Sequence, residues 1–264
     1  MKNDISKEHC SYLKQRRMLE VRIKLSRILL LAFFFLLWEL SASLGWIDPF
    51  FFSSPSRILS LLVEMITDLS IFRHIGATLW ETLVSFLLVT GISIFVSIGL
   101  FFMPKAARIL EPFLVILNSL PKSALAPLII VWLGTGAKTI IIAGISVAIF
   151  GSIINMYTGF LQVDEEKIKL IQTLGGTKRD ILFKVVLPSG VPVIISNMKV
   201  NIGLALVGVI IGEFLAARQG LGYLIIYGSQ VFQLDLLILS IMILCVIAVL
   251  LYQLINQLEK RLFA

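Results

Sequence analysis

Five ionisable side chains stand inside long apolar runs of this sequence: Glu39, Glu81, Lys122, Lys199 and Glu213. A charge in hydrocarbon is costly, so each must find a partner or face a water-filled path. Lys122 is the most suggestive, because Asn118, Ser119, Pro121 and Pro127 interrupt the run around it. Proline removes backbone hydrogen bonds, and such breaks persist at membrane depth only where protein covers them or they line a cavity. There Lys122 can offer positive charge to an anionic solute; the plainer alternative is that it snorkels or pairs with a glutamate. Glu213 precedes Arg218 and the Gly220-Leu-Gly222 triplet at the end of its run, a placement for a gate or a subunit contact, or else for an interfacial ion pair. Asn197 and Asn201 lie one helical turn apart and share a face that Lys199 does not, which makes them a second pathway candidate. Glu39 and Glu81, nearer run ends, read as structural.

Other chemistries lack their residues. Cys10 and Cys245 fall in a basic tail and in the last apolar run, too far apart in expected depth for a structural disulfide. His9 is in the tail and His74 in an expected external loop, too few for a histidine metal centre within the membrane. No nucleophile and base face each other in adjoining runs, so no catalytic residue is assigned. The nucleotide-binding pattern Gly-x-x-x-x-Gly-Lys-[Ser/Thr] does not occur: before Lys138 and Thr139, Trp132 and Ala137 stand where its glycines belong.

The elements that position these residues must be membrane helices. The chain has 264 residues, 58% of them hydrophobic and 15% charged, with a mean hydropathy of +0.97, against about 25% charged in soluble proteins. A span needs about 20 apolar residues, and six segments qualify, over 26–46, 79–103, 111–133, 137–159, 191–214 and 232–256. Between the first two, Asp48 to Thr78 carries Pro49 and Pro55 and is expected to form a turn and a surface amphipathic helix through Ile58, Leu61, Leu62, Met65 and Ile66. The apolar run Ile28 to Leu37 imitates a secretion signal. Its basic region is too long, and no small-residue cleavage site follows Trp46.

Lys and Arg set the orientation. With the N-terminus inside, the tail (Lys2, Lys7, Lys14, Arg16, Arg17, Arg22, Lys24, Arg27), Lys105, Arg108, Lys167, Lys169, Lys178, Arg179, Lys184, Lys260 and Arg261 are all cytoplasmic. Only Arg57, Arg73, Lys138 and Arg218 fall outside. Both termini are therefore placed in the cytoplasm, with residues 1–25 as a basic tail and 26–264 as the membrane domain. The net charge of +7 adds attraction to anionic lipid. Aromatic residues are nearly absent from the tail, which argues against nucleic acid as a partner.

One cytoplasmic loop, 160–190, is patterned throughout. Asp164 to Glu166 place negative charge on a first helical turn, where the helix dipole favours it. Ile168, Leu170, Ile171 and Leu174 follow as apolar contacts, and Gly175 or Gly176 can take the left-handed conformation that ends a helix. Thr177 with Asp180 resembles a capping box for a second helix through Ile181, Leu182, Val185 and Val186, which Pro188 stops or bends into the next span. Such a helical hairpin has apolar surface to bury, against a partner protein or under its own bundle.

Gly175, nine residues, then Val185-Val-Leu-Pro188 resembles the EAA loop of binding-protein-dependent ABC importer permeases, whose pattern is Glu-Ala-Ala, three residues, Gly, nine residues, Ile, one residue, Leu-Pro. The triplet differs: Lys169, Leu170 and Ile171 occupy it, so the salt bridge of the family's Glu is not carried over. Trp38 to Pro49 with Ser54-Pro-Ser56, Leu120 to Pro127 followed by Trp132-Leu-Gly134, and Gly212-Glu213 with Gly220-Leu-Gly222 resemble, in order, the permeases for nitrate, sulfonates and taurine. The resemblance implies an all-α type I importer permease fold in the plasma (inner) membrane of a prokaryote. It implies a non-catalytic subunit, in a permease homodimer with two ATPase subunits that bind the ATP and Mg, fed by an extracellular solute-binding protein. The ATPase would be met by Lys169, Leu170, Ile171, Leu174, Gly175, Gly176, Thr177, Leu187 and Pro188. Permeases for thiamine-precursor pyrimidines or riboflavin are the alternative within the family. A secondary transporter is the alternative class, though it predicts internal repeats that are not evident here.

The charge bias has a direct check. In a chain whose Cys10 and Cys245 are serine, a cysteine at Lys178 should react with an impermeant maleimide only after spheroplasts are opened, and one at Asp48 in intact spheroplasts; the reverse pattern overturns the topology.

Overall fold

A helix rises about 1.5 Å per residue, so crossing a hydrocarbon layer about 30 Å thick takes about 20 residues. The computed structural model describes residues 7–263, and among these five helices are long and apolar enough to cross, or six if a bent pair counts as one span. In chain order the helices are α1 (Lys7–Ser43), α2 (Pro49–Phe52), α3 (Pro55–Thr67), α4 (Ser70–Phe102), α5 (Pro104–Ser119), α6 (Lys122–Leu133), α7 (Ala137–Leu161), α8 (Glu165–Thr173), α9 (Lys178–Ile181), α10 (Leu187–Ala216), α11 (Leu221–Gln230) and α12 (Leu234–Phe263), with a π-helical turn, Leu182–Val186, between α9 and α10. The described residues contain no strand. Two units divide at Val63 and Glu64.

In the first unit α1 runs without a break past residue 25, so the basic tail continues the first span as one helix; Lys2 lies outside the described residues. Leu30, Phe33 and Leu36 are exposed, as a lipid-facing helix requires. Glu39 is structural here. Its carboxylate accepts the Ser56 N–H at 3.0 Å and the Ser56 hydroxyl at 2.8 Å, so α1 satisfies donors in the first turn of α3. Trp38 donates its indole N–H to the Phe52 carbonyl at 3.2 Å, and Arg57 reaches the Pro49 carbonyl at 3.0 Å.

The second unit is built on α4, α7 and α10, which pack on one another. Ser85 Oγ donates to the carbonyls of Glu81 (2.7 Å) and Ile141 (3.2 Å), and Ser97 Oγ to that of Ile153 (3.2 Å). Two bonds with the same residue offset mean that α4 and α7 run parallel. Between α10 and α7, Gly208 lies against Gly144, Gly212 against Ile140 and Gly190 against Phe160, an antiparallel order. A methyl group on Gly208 would come within 2.7 Å of the Gly144 Cα, and one on Gly144 within 2.6 Å of Ser85 Oγ. Helices in lipid gain little from burying apolar surface, so their association rests on such close contact between small residues. α12 packs on α10 and α11, and Lys199 crosses from α10 to Glu259 Oε2 (2.5 Å) and Asn256 Oδ1 (3.2 Å).

Three expectations change. The amphipathic helix exists as α3, with Ile58 and Met65 buried, but the segment expected to stay at the surface as far as Thr78 already belongs to α4. After Leu69 at φ +62°, Asp68 accepts the Ser70 N–H at 2.8 Å and restarts the helix, and His74 and Thr78 find polar partners within the unit. The span expected over 111–133 is a pair of helices bent by 93°: Leu120 before Pro121 is extended (φ −64°, ψ 138°), the conformation proline imposes on its predecessor. Nor does Pro188 end a helix, because the π turn carries the chain through it.

Gly208→Val should cost about 1–3 kcal/mol through overpacking, read as earlier unfolding in a denaturant titration in detergent. Gly203→Ala, where a Cβ meets nothing within 4 Å, should not destabilise.

Candidate functional site

The helical hairpin between α7 and α10 is assembled by local capping. Asp164 precedes α8 and accepts the Glu166 N–H at 2.9 Å, and Glu165 and Glu166 occupy the first turn. Gly175 turns the chain at φ +77°, a conformation that disfavours side chains. Thr177 and Asp180 complete a reciprocal capping box: the Thr177 hydroxyl accepts the Asp180 N–H (3.3 Å), while the Asp180 carboxylate accepts the Thr177 N–H (2.9 Å) and hydroxyl (2.6 Å). Lys184 pairs with Asp180 at 2.8 Å.

The π turn then solves the proline problem. Its last bond runs from the Leu187 N–H to the Leu182 carbonyl, one residue further back than in an α-helix. Pro188 has no N–H, and its ring would strike the carbonyl four residues earlier in a regular helix; the wider turn relieves that clash. Ile181, Leu182, Val185 and Val186 are buried with Met156, Phe160 and Val163, and Ile168 and Ile171 pack onto the same cluster. Leu170 and Leu174 point away and are 59% and 74% exposed, and Phe183 is 64% exposed. The hairpin therefore has two apolar faces, one under its own bundle and one open. Lys169 pairs with Glu165 on its own helix at 3.5 Å, Gly176 sits tight against Ile171, and Leu187 packs on the cluster.

The elbow between α5 and α6 holds Asn118, Ser119, Pro121 and Lys122. The Lys122 ammonium bonds the carbonyls of Leu117 and Asn118 and lies 5.3 Å from the centre of the Phe150 ring. It thus supplies donors to carbonyls that the broken helix leaves without partners. Ser119 bonds back to the Val115 carbonyl at 2.9 Å. Asn118 rests on Gly151, where a methyl would meet its Oδ1 at 3.0 Å. Neither snorkelling nor a glutamate partner describes Lys122; backbone carbonyls and an aromatic face hold it.

Asn197 and Asn201 do share a face, and it points inward. Both are buried, and both Nδ2 groups donate to Ser152 Oγ of α7 at 2.8 Å, while Lys199 turns to α12. Glu213 is fully buried: Thr78 Oγ donates to its Oε1 at 2.7 Å and the Gly222 N–H to its Oε2 at 2.5 Å. Arg218 is exposed. The elbow and the Asn pair meet adjacent residues of α7, Gly151 and Ser152, whereas Glu213 and the hairpin lie toward opposite ends of the bundle. Ser152 and Thr78 went unnoticed in the sequence because isolated hydroxyls carry no spacing signal, and His74 was weighed only as a metal ligand. Thr78 and Glu81, three residues apart and therefore on one helix face, were the clue available.

These features describe a multi-pass membrane protein whose hairpin leaves an apolar tip exposed. The chain matches the family of binding-protein-dependent transport system inner membrane components over residues 88–263, and it belongs to that family. It is 27% identical over 262 residues to the taurine transport system permease protein TauC of Escherichia coli, covering 97% of this chain and 94% of the relative. It is 28% identical over 187 residues to the formylaminopyrimidine transport permease protein ThiX of Halalkalibacterium halodurans, covering 71% and 74%. Its fold is similar to a chain of the MetNI methionine ABC transporter in an inward-facing conformation, with a TM-score of 0.64, 17% identity, and coverage of 74% of this chain and 97% of that one.

The capping box makes the hairpin acid-sensitive. Lys184, and then the Thr177 hydroxyl and N–H, hold the Asp180 carboxyl well below its ordinary range. A lowered folded value stabilises above the unfolded carboxylate value of about 3.9 and loses that contribution as pH falls below it. Amide protection over Lys178–Ile181 should therefore be steady near neutrality and fall in strong acid. Thr177→Ala, which removes a cap worth about 1 kcal/mol, should lower that protection at every pH, as measured by hydrogen exchange.

Proposed function

We propose that this chain is the translocation subunit of an ABC importer, a homodimer whose 160–190 hairpins dock in two cytoplasmic ATPase subunits that bind ATP and Mg. An external binding protein delivers a small solute of the sulfonate, taurine or nitrate kind. One observation carries the reading: the side chains beside the Gly175 turn, Leu170 and Leu174, are exposed (59% and 74%) on a hairpin whose other face is anchored in the bundle. An apolar tip on a rigid base is what a separate motor needs in order to pull on α7 and α10 together. Lys169 pairs within its own helix, which suits docking through apolar contact in place of the family's Glu. Family membership supports the architecture, and the relatives named for taurine and aliphatic sulfonates support the solute class.

Relatives named for formylaminopyrimidine and riboflavin transport match about as well, at 28% and 27% identity, so a heterocyclic solute is the second reading. The position of Lys122 bears on the choice. Its ammonium is occupied by backbone carbonyls, so it offers an anion less than a free lysine would, and recognition of the solute falls chiefly to the binding protein.

Leu174→Asp should leave insertion and folding intact, since the side chain touches no core cluster, yet abolish co-purification of the ATPase and solute uptake by proteoliposomes of the reconstituted complex. Uptake within twofold of wild type would overturn the docking assignment.

A further inference from the structure

We propose that Glu81 and Glu213 form a single proton-binding site, a carboxyl pair that clasps the turn between α10 and α11 onto α4 at the end of the bundle opposite the hairpin. Neither the family match nor the relatives assign a site there. On α4, Thr78, Glu81 and Thr82 recur at three- and four-residue spacing and are all buried. Thr78 is a two-way connector: its hydroxyl donates to Glu213 Oε1 at 2.7 Å and accepts the Leu221 N–H at 2.8 Å. The Gly222 N–H donates to Glu213 Oε2 at 2.5 Å. Gly220, at φ +122°, wraps onto the same carboxyl so closely that a side chain there would overlap it, and a methyl on Gly222 would lie 2.7 Å from Oε2. His74 fastens the turn from outside, its Nδ1 accepting the Gly220 N–H at 3.1 Å and its ring stacking on Tyr223.

Glu81 stands one turn beyond Thr78 on the same buried face of α4, and Thr78 bonds Glu213, which brings the two carboxyls to one place in the bundle. Glu81 is 5% exposed and Glu213 0% exposed, and the buried Oε2 of Glu81 has no N–H or hydroxyl partner among the described residues. Two carboxylates possess acceptors only, and two like charges in contact away from water repel strongly. One proton taken from solvent removes both difficulties: it makes one carboxyl a donor to the other and leaves a single charge, which Thr78 and the Gly222 N–H solvate. The one bond formed is a carboxyl O–H, and the one broken is an O–H of the hydronium ion that supplies the proton.

Among the described residues no salt bridge joins a cation to either carboxyl. From α4 come His74 and the exposed Arg73; from α10 and the turn, the exposed Arg218; from α11, Tyr223 and Tyr227; from α7, the buried Thr139, which bonds the Gly134 carbonyl, and the exposed Lys138. Asp235 opens α12, which packs on α10 and α11. Losing the proton would set two carboxylates against each other and loosen the turn from α4.

Infrared spectroscopy of the full chain in nanodiscs tests the site. At neutral pH the wild type should show a protonated-carboxyl C=O band that both Glu81→Gln and Glu213→Gln remove, since the pair shares one proton. Hydrogen exchange gives the second readout. Glu81→Gln keeps a donor facing Glu213 and should preserve protection of the Gly220–Gly222 amides, whereas Glu81→Ala should speed their exchange about tenfold, as expected when a buried hydrogen bond is lost. Absence of the band in wild type, its survival in Glu81→Gln, or equal loosening in Glu81→Gln and Glu81→Ala would overturn the proposal. If Glu213→Gln fails to fold, Glu81→Gln decides alone.

Discussion

At the centre of the second unit the backbones of α7 and α10 touch at Gly144 and Gly208, with Ser85 of α4 laid against Gly144. A Cβ on Gly208 would meet backbone, the Gly144 Cα at 2.7 Å and the Ala143 carbonyl at 2.9 Å, which cannot swing aside as a side chain can. In lipid, where apolar burial between helices contributes little, this contact fixes the spacing of the three central helices. It also fixes what hangs from their ends. The hairpin joins the end of α7 to the start of α10, so its geometry follows from the distance at which those two helices are held.

Away from that contact, the bundle is shaped by the rule that membrane backbone must be satisfied internally. Several breaks in helical bonding are answered locally. Lys122 closes carbonyls at the end of α5, Glu39 takes donors at the start of α3, and the π turn opens the ladder where Pro188 cannot donate. The charged residues within apolar runs are therefore mostly consumed in holding the scaffold. Polar groups bond across helices as well, through Ser152 with its two asparagines and through Lys199 with Glu259. A solute path in this architecture would have to be lined by faces that the single chain leaves open.

The hairpin follows from the same economy. Its base is buried with Met156 and Phe160, and its tip carries leucines into the open. Ile171 and Leu182 pack in the cluster that joins the hairpin to α7, and the capping box and the π turn keep the second arm helical up to α10. Strength at the base and apolarity at the tip are separate properties, and the sequence pattern interleaves them.

How much was legible in advance depended on range. Asp164, Gly175, Thr177 and Asp180 act on neighbours within a few residues, so their caps and turn could be read from spacing, and so could the six apolar runs, since length and hydropathy are local. The bend at Pro121 was visible as an interruption, though its angle was not. The fate of the buried polar residues was closed to inspection. Asn197 and Asn201 were paired by periodicity, but their target, Ser152, lies on another helix; Glu81 read as structural until packing set it beside Glu213, and Lys122 read either as a charge for solute or as a snorkelling or paired lysine until the elbow folded its own carbonyls around it. Sequence alone determined which runs are apolar enough to enter the membrane and how the hairpin is capped, because those depend on side-chain solvation and on bonds along the chain. Tertiary structure decided which charges are spent on backbone, which are shared between helices and which leucines stay exposed, because those depend on distances between residues far apart in sequence.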